Sequence, residues 1–199
     1  MLVETKQRLR RPLLPLARGV AALGITPDAL TVTGLLIALL AGAALAFGHT
    51  FLALIGLLLS GLCDLLDGDV ARLRPGRDRR FGAFLDSTSD RISETAIFAG
   101  LLLHRVHLGA PGRLWTACWV LALTGSLLVS YTRARAEGLG VACRIGVADR
   151  SVRLILVVAM LIAGLPRSGL FLAFLAVLSW ITVLQRTVHV WRTARGPVG

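Results

Sequence analysis

The chain has 199 residues, of which 55% are hydrophobic and only 17% are charged, and its formal net charge at pH 7 is +11. A basic tail without fixed structure would be poor in apolar residues, and a soluble nucleic-acid-binding protein would not contain long apolar runs, so both classes are excluded. The composition is typical of an integral membrane protein.

Residues 1–25 are predicted to form a juxtamembrane segment. Its Leu and Arg residues suit either an amphipathic segment on an anionic membrane surface or a plain cytoplasmic leader. Pro12 and Pro15 interrupt the segment, which lacks the continuous apolar core of a cleavable signal peptide. Thr26, Pro27 and Asp28 then predict a helix start with Thr26 as the N-cap residue.

Apolar runs of spanning length follow, and they predict six transmembrane helices, because about 20 residues cross a bilayer. The runs cover 29–47, 51–69, 81–103, 114–131, 154–165 and 170–184. We therefore expect an all-α integral membrane domain over residues 26–192 and a cytoplasmic tail at 193–199. In the first run, Gly34, Ala38 and Gly42 are four residues apart, which indicates close helix packing within the bundle or at a dimer interface.

The basic residues indicate the topology. Of the 22 Lys and Arg residues, eighteen lie in segments that would share one side of the membrane. Arg91 lies within the third run, and the remaining three, Arg105, Arg113 and Arg167, fall on the opposite side. Cytoplasmic loops carry the excess of Lys and Arg in membrane proteins. The pattern predicts a multi-pass protein of the cell (inner) membrane with both termini in the cytoplasm.

Seven of the eleven acidic residues fall between positions 64 and 94, mostly within apolar sequence. An Asp at the centre of a membrane helix costs about 2.5–3.5 kcal/mol, so a cation, a water-filled cavity or the interface must compensate. Asp64 and Asp67 are three residues apart and share one face of the second predicted helix. Asp86 and Asp90 are four apart and share one face of the third.

These four aspartates are predicted to converge at matched depths below the cytoplasmic face. Asp64 lies eight residues before Arg72 and Asp90 lies eight residues after Gly82, so both are about 12 Å into their helices. The short loop between the helices makes them antiparallel neighbours. An all-oxygen ligand set suits Mg²⁺, or Mn²⁺ in its place, and there is room for two ions about 3.5–4 Å apart.

The residues around the aspartates suit an anionic ligand. Gly68 and Ala71 are small enough for a ligand to approach the backbone, and Arg72 adds a positive charge at the cytoplasmic end. Carboxylates, divalent cations and an Arg favour a site that handles a pyrophosphate. The alternative is a divalent-cation transporter or channel, which would leave the spacing of Gly68, Ala71 and Arg72 unexplained.

The complete motif reads Asp64-Leu-Leu-Asp67-Gly68-Asp-Val-Ala71-Arg72, then nine residues, then Gly82-Ala-Phe-Leu-Asp86-Ser-Thr-Ser-Asp90. It resembles the signature of the CDP-alcohol phosphotransferase family, D-x-x-D-G-x-x-A-R…G-x-x-x-D-x-x-x-D. Enzymes of this family transfer a phospholipid group from a CDP-linked donor to an alcohol and release CMP. Within the family the chain is most similar to the phosphatidylinositol-phosphate synthases, over residues 26–28, 80–82, 90–93, 130–137 and 185–186.

The resemblance implies roles for individual residues. Asp64 and Asp86 would bridge two metal ions, Asp67 would bind one and Asp90 the other, and Asp90 would also be the catalytic base on the acceptor hydroxyl. The residues implied to bind the CDP donor are Asp28, Ala29, Leu30, Thr31, Gly68, Ala71, Arg72 and Arg79. Those implied to bind the acceptor phosphate are Arg133, Arg135, Arg150, Arg153 and Arg186.

The implied function is metal-dependent transfer of a phosphatidyl group from CDP-diacylglycerol to a phosphorylated polyol, with myo-inositol phosphate as the first acceptor and glycerol 3-phosphate as the alternative. The cluster of Arg residues in the second cytoplasmic loop favours a phosphorylated acceptor, although positive-inside topology also calls for basic residues there. The expected partners are these substrates, the lipid bilayer and, from the resemblance, a second copy of the chain. No nucleic acid is expected.

Overall fold

A computed structural model describes residues 14–73 and 80–194, and within these ranges the chain forms helices and no strand. The helices are α1 (Leu14–Ala22), α2 (Pro27–Ala46), α3 (Thr50–Leu73), α4 (Arg80–His107), α5 (Arg113–Gly138), α6 (Arg150–Ala163) and α7 (Ser168–Ala194), with a 3₁₀ turn at Leu165–Arg167. The predicted all-α fold is confirmed. Most of the predicted juxtamembrane segment and of the C-terminal tail lies outside the described ranges.

Four helical stretches in the described part of the chain are long and apolar enough to cross a membrane: α2, α3, α5 and Leu165–Ala194. The six-span count is not confirmed, for two physical reasons. Helix α4 has 28 residues but carries Asp, Glu and Arg side chains within its first fifteen. Helix α6 has only 14 residues, fewer than the roughly 20 that span a bilayer.

The chain divides into two compact units, the first ending at Leu101 and the second beginning at Leu102, within α4. In the first unit α2 packs along α3, and α1 also packs against α3. Its core includes a buried apolar cluster of Ala17, Leu30, Leu66 and Val70. In the second unit α5 packs along α7, and α6 contacts α7.

Helix α2 begins as its sequence predicts. The backbone N–H of Ala29 donates to Oγ1 of Thr26 at 3.2 Å, Pro27 occupies the first turn, and Asp28 lies in the same turn. An acidic side chain is favourable there because the helix dipole is positive at its N-terminus. These interactions fix the end of α2 that carries Thr31.

The small residues of α2 pack against other helices of the first unit. Gly34 faces α3, where an added Cβ would lie 3.0 Å from Cβ of Cys63. Gly42 faces α4, where an added Cβ would lie 2.5 Å from the carbonyl oxygen of Ala96, and a Cβ on Gly100 would overlap the Gly42 carbonyl. Two uses were predicted for these small residues, and the contacts show that they serve packing within the bundle.

Candidate active site

Helices α3 and α4 bring three of the four predicted metal ligands together. Carboxylate oxygens of Asp64, Asp67 and Asp86 all lie within 4.8 Å of one another. Asp67 is buried, and the other two are half-buried. Three carboxylates at this distance repel one another unless a cation lies between them. The cluster can therefore bind a divalent metal ion, although the ligand role of each residue stays a prediction.

Asp90 lies one turn beyond Asp86 on α4, about 6 Å further along the helix axis. It is not part of the three-carboxylate group. Its side chain is half-buried, and its Oδ2 is 3.8 Å from Nη1 of Arg91, whose guanidinium also donates to the Ser87 carbonyl. Asp90 is thus next to the cluster and partly open to a ligand, as a proton acceptor must be. Its role as the catalytic base stays a prediction.

Thr31 contacts the aspartate cluster directly. It is buried, and its Oγ1 lies 2.7 Å from Oδ2 of Asp67 and 3.1 Å from the Pro27 carbonyl. A hydroxyl has only one proton to donate. The carboxylate of Asp67 is both the closer and the stronger acceptor, so the hydroxyl donates to it. Sequence reasoning assigned Thr31 only to the donor and missed this contact, because 36 residues separate Thr31 from Asp67 and no local spacing indicates it.

The N-terminal turns of α2 and α4 meet at Asp28 and Gly82. A Cβ added to Gly82 would lie 3.1 Å from Oδ1 of Asp28, so the glycine of the motif leaves room for this carboxylate. Asp28 and Ala29 are exposed. Leu30 differs: only 8% of it is exposed and it belongs to the apolar cluster, so its side chain is used for packing.

Arg72 is held by an acid for which the sequence indicated no role. Its Nη2 forms an ion pair with Oδ1 of Asp69, which is buried although Arg72 itself is exposed. The guanidinium lies beside Gly68, since a Cβ added there would be 3.7 Å from Nη2 of Arg72. Ala71 is half-buried on the same helix. Arg79, the remaining predicted donor residue, lies outside the described residues.

The second unit holds three of the five predicted acceptor residues close together. Arg153 and Arg186 are each only 4% exposed, and the charges of Arg133 and Arg153 both act on Arg186. Arg133 is exposed and pairs with Glu137 at 2.9 Å. The other two predicted residues lie nearer the surface: Arg135 is exposed, and Arg150 is half-buried at the start of α6.

The two buried arginines bind backbone carbonyls. Nε of Arg186 donates to the Ile145 carbonyl at 2.9 Å, and its Nη1 donates to the Val129 carbonyl. Arg153 donates to the Ala148 carbonyl at 3.2 Å and to Oγ of Ser130 at 3.3 Å. These bonds orient the planar guanidinium groups. A buried cluster of like charges held in this way attracts an anion.

Comparison with known proteins identifies the family. The model of the CDP-alcohol phosphatidyltransferase family matches residues 24–191. The chain belongs to this family. Membership confirms the sequence resemblance and makes the protein an enzyme, a phosphatidyltransferase. It favours the transferase over the cation transporter that the aspartates alone left open.

This phosphatidyltransferase has similar proteins in archaea and bacteria. The archaetidylinositol phosphate synthase of Methanothermobacter thermautotrophicus is 38% identical over 196 residues, which cover 96% of this chain and 95% of that protein. The phosphatidylinositol phosphate synthase of Mycobacterium marinum is 41% identical over 192 residues, which cover 89% of this chain and 78% of that protein.

Solved structures similar to this phosphatidyltransferase include two of Mycobacterium tuberculosis phosphatidylinositol phosphate synthase. The structure with CDP-DAG bound has a TM-score of 0.81 and 34% identity, and the match covers 91% of this chain and 94% of that one. The complex with manganese and citrate has a TM-score of 0.80 and 34% identity, and the match covers 89% and 88% of the two chains.

Proposed function

We propose that the protein transfers the phosphatidyl group of CDP-diacylglycerol to an inositol phosphate, giving phosphatidylinositol phosphate and CMP. The observation that carries the proposal is the convergence of Asp64, Asp67 and Asp86 in a chain that matches the family over residues 24–191. The names of the similar proteins support inositol phosphate as the acceptor.

The proposed metal ligands are Asp64, Asp67, Asp86 and Asp90, and the metal is Mg²⁺ or Mn²⁺, with two ions in the site. The hard carboxylate oxygens suit either ion, and manganese is present in a similar solved structure. When bound, the ions neutralise the diphosphate of the donor and stabilise the leaving CMP oxygen. Thr31 supports the site by holding Asp67 in one orientation.

Asp90 is proposed to accept the proton of the acceptor hydroxyl. The hydroxyl oxygen forms a bond to the phosphorus that carries the diacylglycerol, the bond between that phosphorus and the CMP oxygen breaks, and CMP leaves with the bonding electrons. A carboxylate is a weak base, but it needs to accept the proton only in the transition state. The partial exposure of Asp90 beside the aspartate cluster supports this role.

The donor is proposed to lie along the N-terminal turn of α2 and the small-residue face of α3. Gly68 and Ala71 leave space for the donor, and Arg72, which is half exposed, offers its guanidinium to a phosphate. Asp28 and Ala29 complete the surface from α2.

The acceptor phosphate is proposed to bind Arg133, Arg153 and Arg186. A guanidinium has five N–H donors, and the two carbonyls that Arg186 binds use two of them. A phosphate can accept two or more charge-assisted hydrogen bonds from these guanidinium groups, whereas a neutral alcohol forms none of this strength.

We also propose that α4 and α6 cross the membrane with the other four stretches, which gives six spans with both termini and the active site on the cytoplasmic side. The eighteen-to-three distribution of basic residues supports this topology. The protein is further proposed to be a homodimer, which rests on the resemblance to the family.

The test is release of CMP by the purified protein in Mg²⁺, with donors that carry diacyl or ether-linked tails and with four acceptors: myo-inositol phosphate, glycerol 3-phosphate, inositol and serine. We expect release with myo-inositol phosphate, loss of release on chelation, and recovery with Mg²⁺ or Mn²⁺. Release with glycerol 3-phosphate alone would reassign the acceptor. No release with any acceptor, together with Mn²⁺ flux into liposomes, would replace the transferase by a transporter.

A further inference from the structure

The segment 139–149, which joins α5 to α6 without helical structure, is tied to α7 by three polar side chains. The N–H of Ala148 donates to Oγ1 of Thr182 at 2.9 Å. Nε of Arg186 donates to the Ile145 carbonyl at 2.9 Å, and Nε2 of His189 lies 3.0 Å from the Ala142 carbonyl. Residues 182, 186 and 189 are four and three residues apart, so they share one face of α7.

The backbone of this segment rests directly on Thr182. Gly146 has φ of +128°, which strongly favours glycine. A Cβ added to Gly146 would overlap the methyl group of Thr182. A larger residue at either position would lift the segment from α7, so the register between the segment and the helix is fixed.

Thr182 acts on Arg153 through a single residue. The hydroxyl of Thr182 donates to the Leu178 carbonyl at 2.9 Å, which leaves its oxygen lone pairs to accept from the N–H of Ala148. The carbonyl of Ala148 in turn accepts from Nη1 of Arg153. Thr182 is fully buried, so water does not substitute for its hydroxyl.

We propose that Thr182 is a positioning residue for the acceptor phosphate. By fixing Ala148 and the rest of segment 139–149 on α7, it orients Arg153 and Arg186 toward one anion and sets the affinity for a phosphorylated acceptor. The proposal rests on the proposed function, because it assumes that these two arginines bind the acceptor. The like charges of Arg153 and Arg186 repel each other. The hydrogen bonds of segment 139–149 hold the two side chains in place before the phosphate binds.

The test compares three variants of the full-length protein. Thr182→Val keeps the shape of the side chain and removes the hydroxyl, which leaves the N–H of Ala148 without its acceptor. We expect KM for myo-inositol phosphate to rise about tenfold, and KM for CDP-diacylglycerol to stay within about twofold. Thr182→Ser keeps the hydroxyl and is expected to restore the acceptor KM.

Thr187→Val is the matched control. Thr187 is an exposed residue of the same helix, and its hydroxyl donates to the Val183 carbonyl at 2.9 Å, much as Thr182 donates to Leu178. We expect wild-type kinetics from this variant. If Thr182→Val yields too little folded protein, His189→Leu removes the Ala142 contact at a half-buried position and is expected to raise the same KM by a smaller factor.

A wild-type acceptor KM in Thr182→Val, or an equal rise in the KM of both substrates, overturns the proposal. Calorimetric binding of myo-inositol phosphate makes the same comparison without turnover. Failure of the wild-type enzyme to bind or use any phosphorylated acceptor refutes the proposed function itself, whereas failure of the variant to differ from an active wild type refutes only the role of Thr182.

Discussion

The hydroxyl of Thr31 donates a 2.7 Å hydrogen bond to Oδ2 of Asp67. Thr31 is the fifth residue of α2, whose start is fixed by the Thr26 cap and Pro27, and Asp67 belongs to α3. The bond therefore links the helix that is proposed to contact the donor to one of the proposed metal ligands. A hydrogen bond from outside the ligand set holds a ligand in its binding orientation and tunes metal affinity.

Thr31→Val should weaken metal binding. Valine keeps the shape of the side chain but loses the donor, so Asp67 is free to rotate, and we expect Mn²⁺ affinity to fall about 10-fold or more. The affinity is measured by titrating the protein with Mn²⁺ and following the electron paramagnetic resonance signal of the free ion. Thr33→Val is the control, because Thr33 is exposed on the same helix and bonds only the Ala29 carbonyl. Equal affinity in the two variants would show that Thr31 does not orient the ligand.

Asp90→Asn should abolish turnover and largely retain donor binding. The amide cannot accept the proton of the acceptor hydroxyl, whereas the three clustered carboxylates of Asp64, Asp67 and Asp86 remain to hold the proposed metal and, through it, the donor. We expect CMP release to fall at least about 100-fold, with CDP binding measured by calorimetry close to wild type. Asp64→Asn is the comparison, and this variant should lose both CMP release and CDP binding. Near-normal turnover in Asp90→Asn would remove Asp90 as the base.

Arg72→Gln should affect stability as well as donor binding. It leaves the buried carboxylate of Asp69 without its ion-pair partner, which costs about 1–3 kcal/mol. Adding Asp69→Asn removes the buried charge, so the double variant should recover thermal stability but not affinity for CDP. A thermal-shift assay and calorimetry separate these effects. Wild-type CDP binding by the double variant would exclude Arg72 from the donor site.

Gly100→Ala should destabilise the first unit. An added Cβ would overlap the Gly42 carbonyl, and overpacking of this kind costs about 1–3 kcal/mol. Gly19→Ala is the control, since no described atom lies within 4 Å of a Cβ at that position and alanine is the better helix former. Melting temperatures should fall for the first variant and be unchanged or higher for the second. An unchanged melting temperature in Gly100→Ala would contradict the close contact.

The aspartate cluster could be predicted from the sequence because the spacing of nearby residues is enough to indicate it. The spacing of Asp64 and Asp67 gives one helix face, and the motif gives Asp86 on the next helix. The contacts that support the site could not be predicted in this way. Thr31 reaches Asp67 across 36 residues, and Thr182 reaches Ala148 across 34, so only the packing of helices brings each pair together.

The helices themselves were predicted well, but not every one meets the requirements of a membrane span. Apolar runs predicted α2, α3, α5 and α7 because their mean hydropathy is high. Helix α4 carries the Asp, Glu and Arg side chains that lower its hydropathy, so its composition does not meet the criterion for a span. Helix α6 begins at the Asp149 cap and ends at Gly164, and these local signals limit its length.

The contact between Gly42 and Gly100 has a consequence for the enzyme in its bilayer. Gly100 lies fourteen residues beyond Asp86 on α4, which is about 21 Å along the axis. A tilt of about 5° between α2 and α4 at that contact would move Asp86 by about 2 Å over this lever arm, far more than the tolerance of about 0.2 Å for metal–ligand distances. Helices respond to lipid thickness by tilting, and the close Gly42–Gly100 contact is expected to resist a tilt that would displace Asp86.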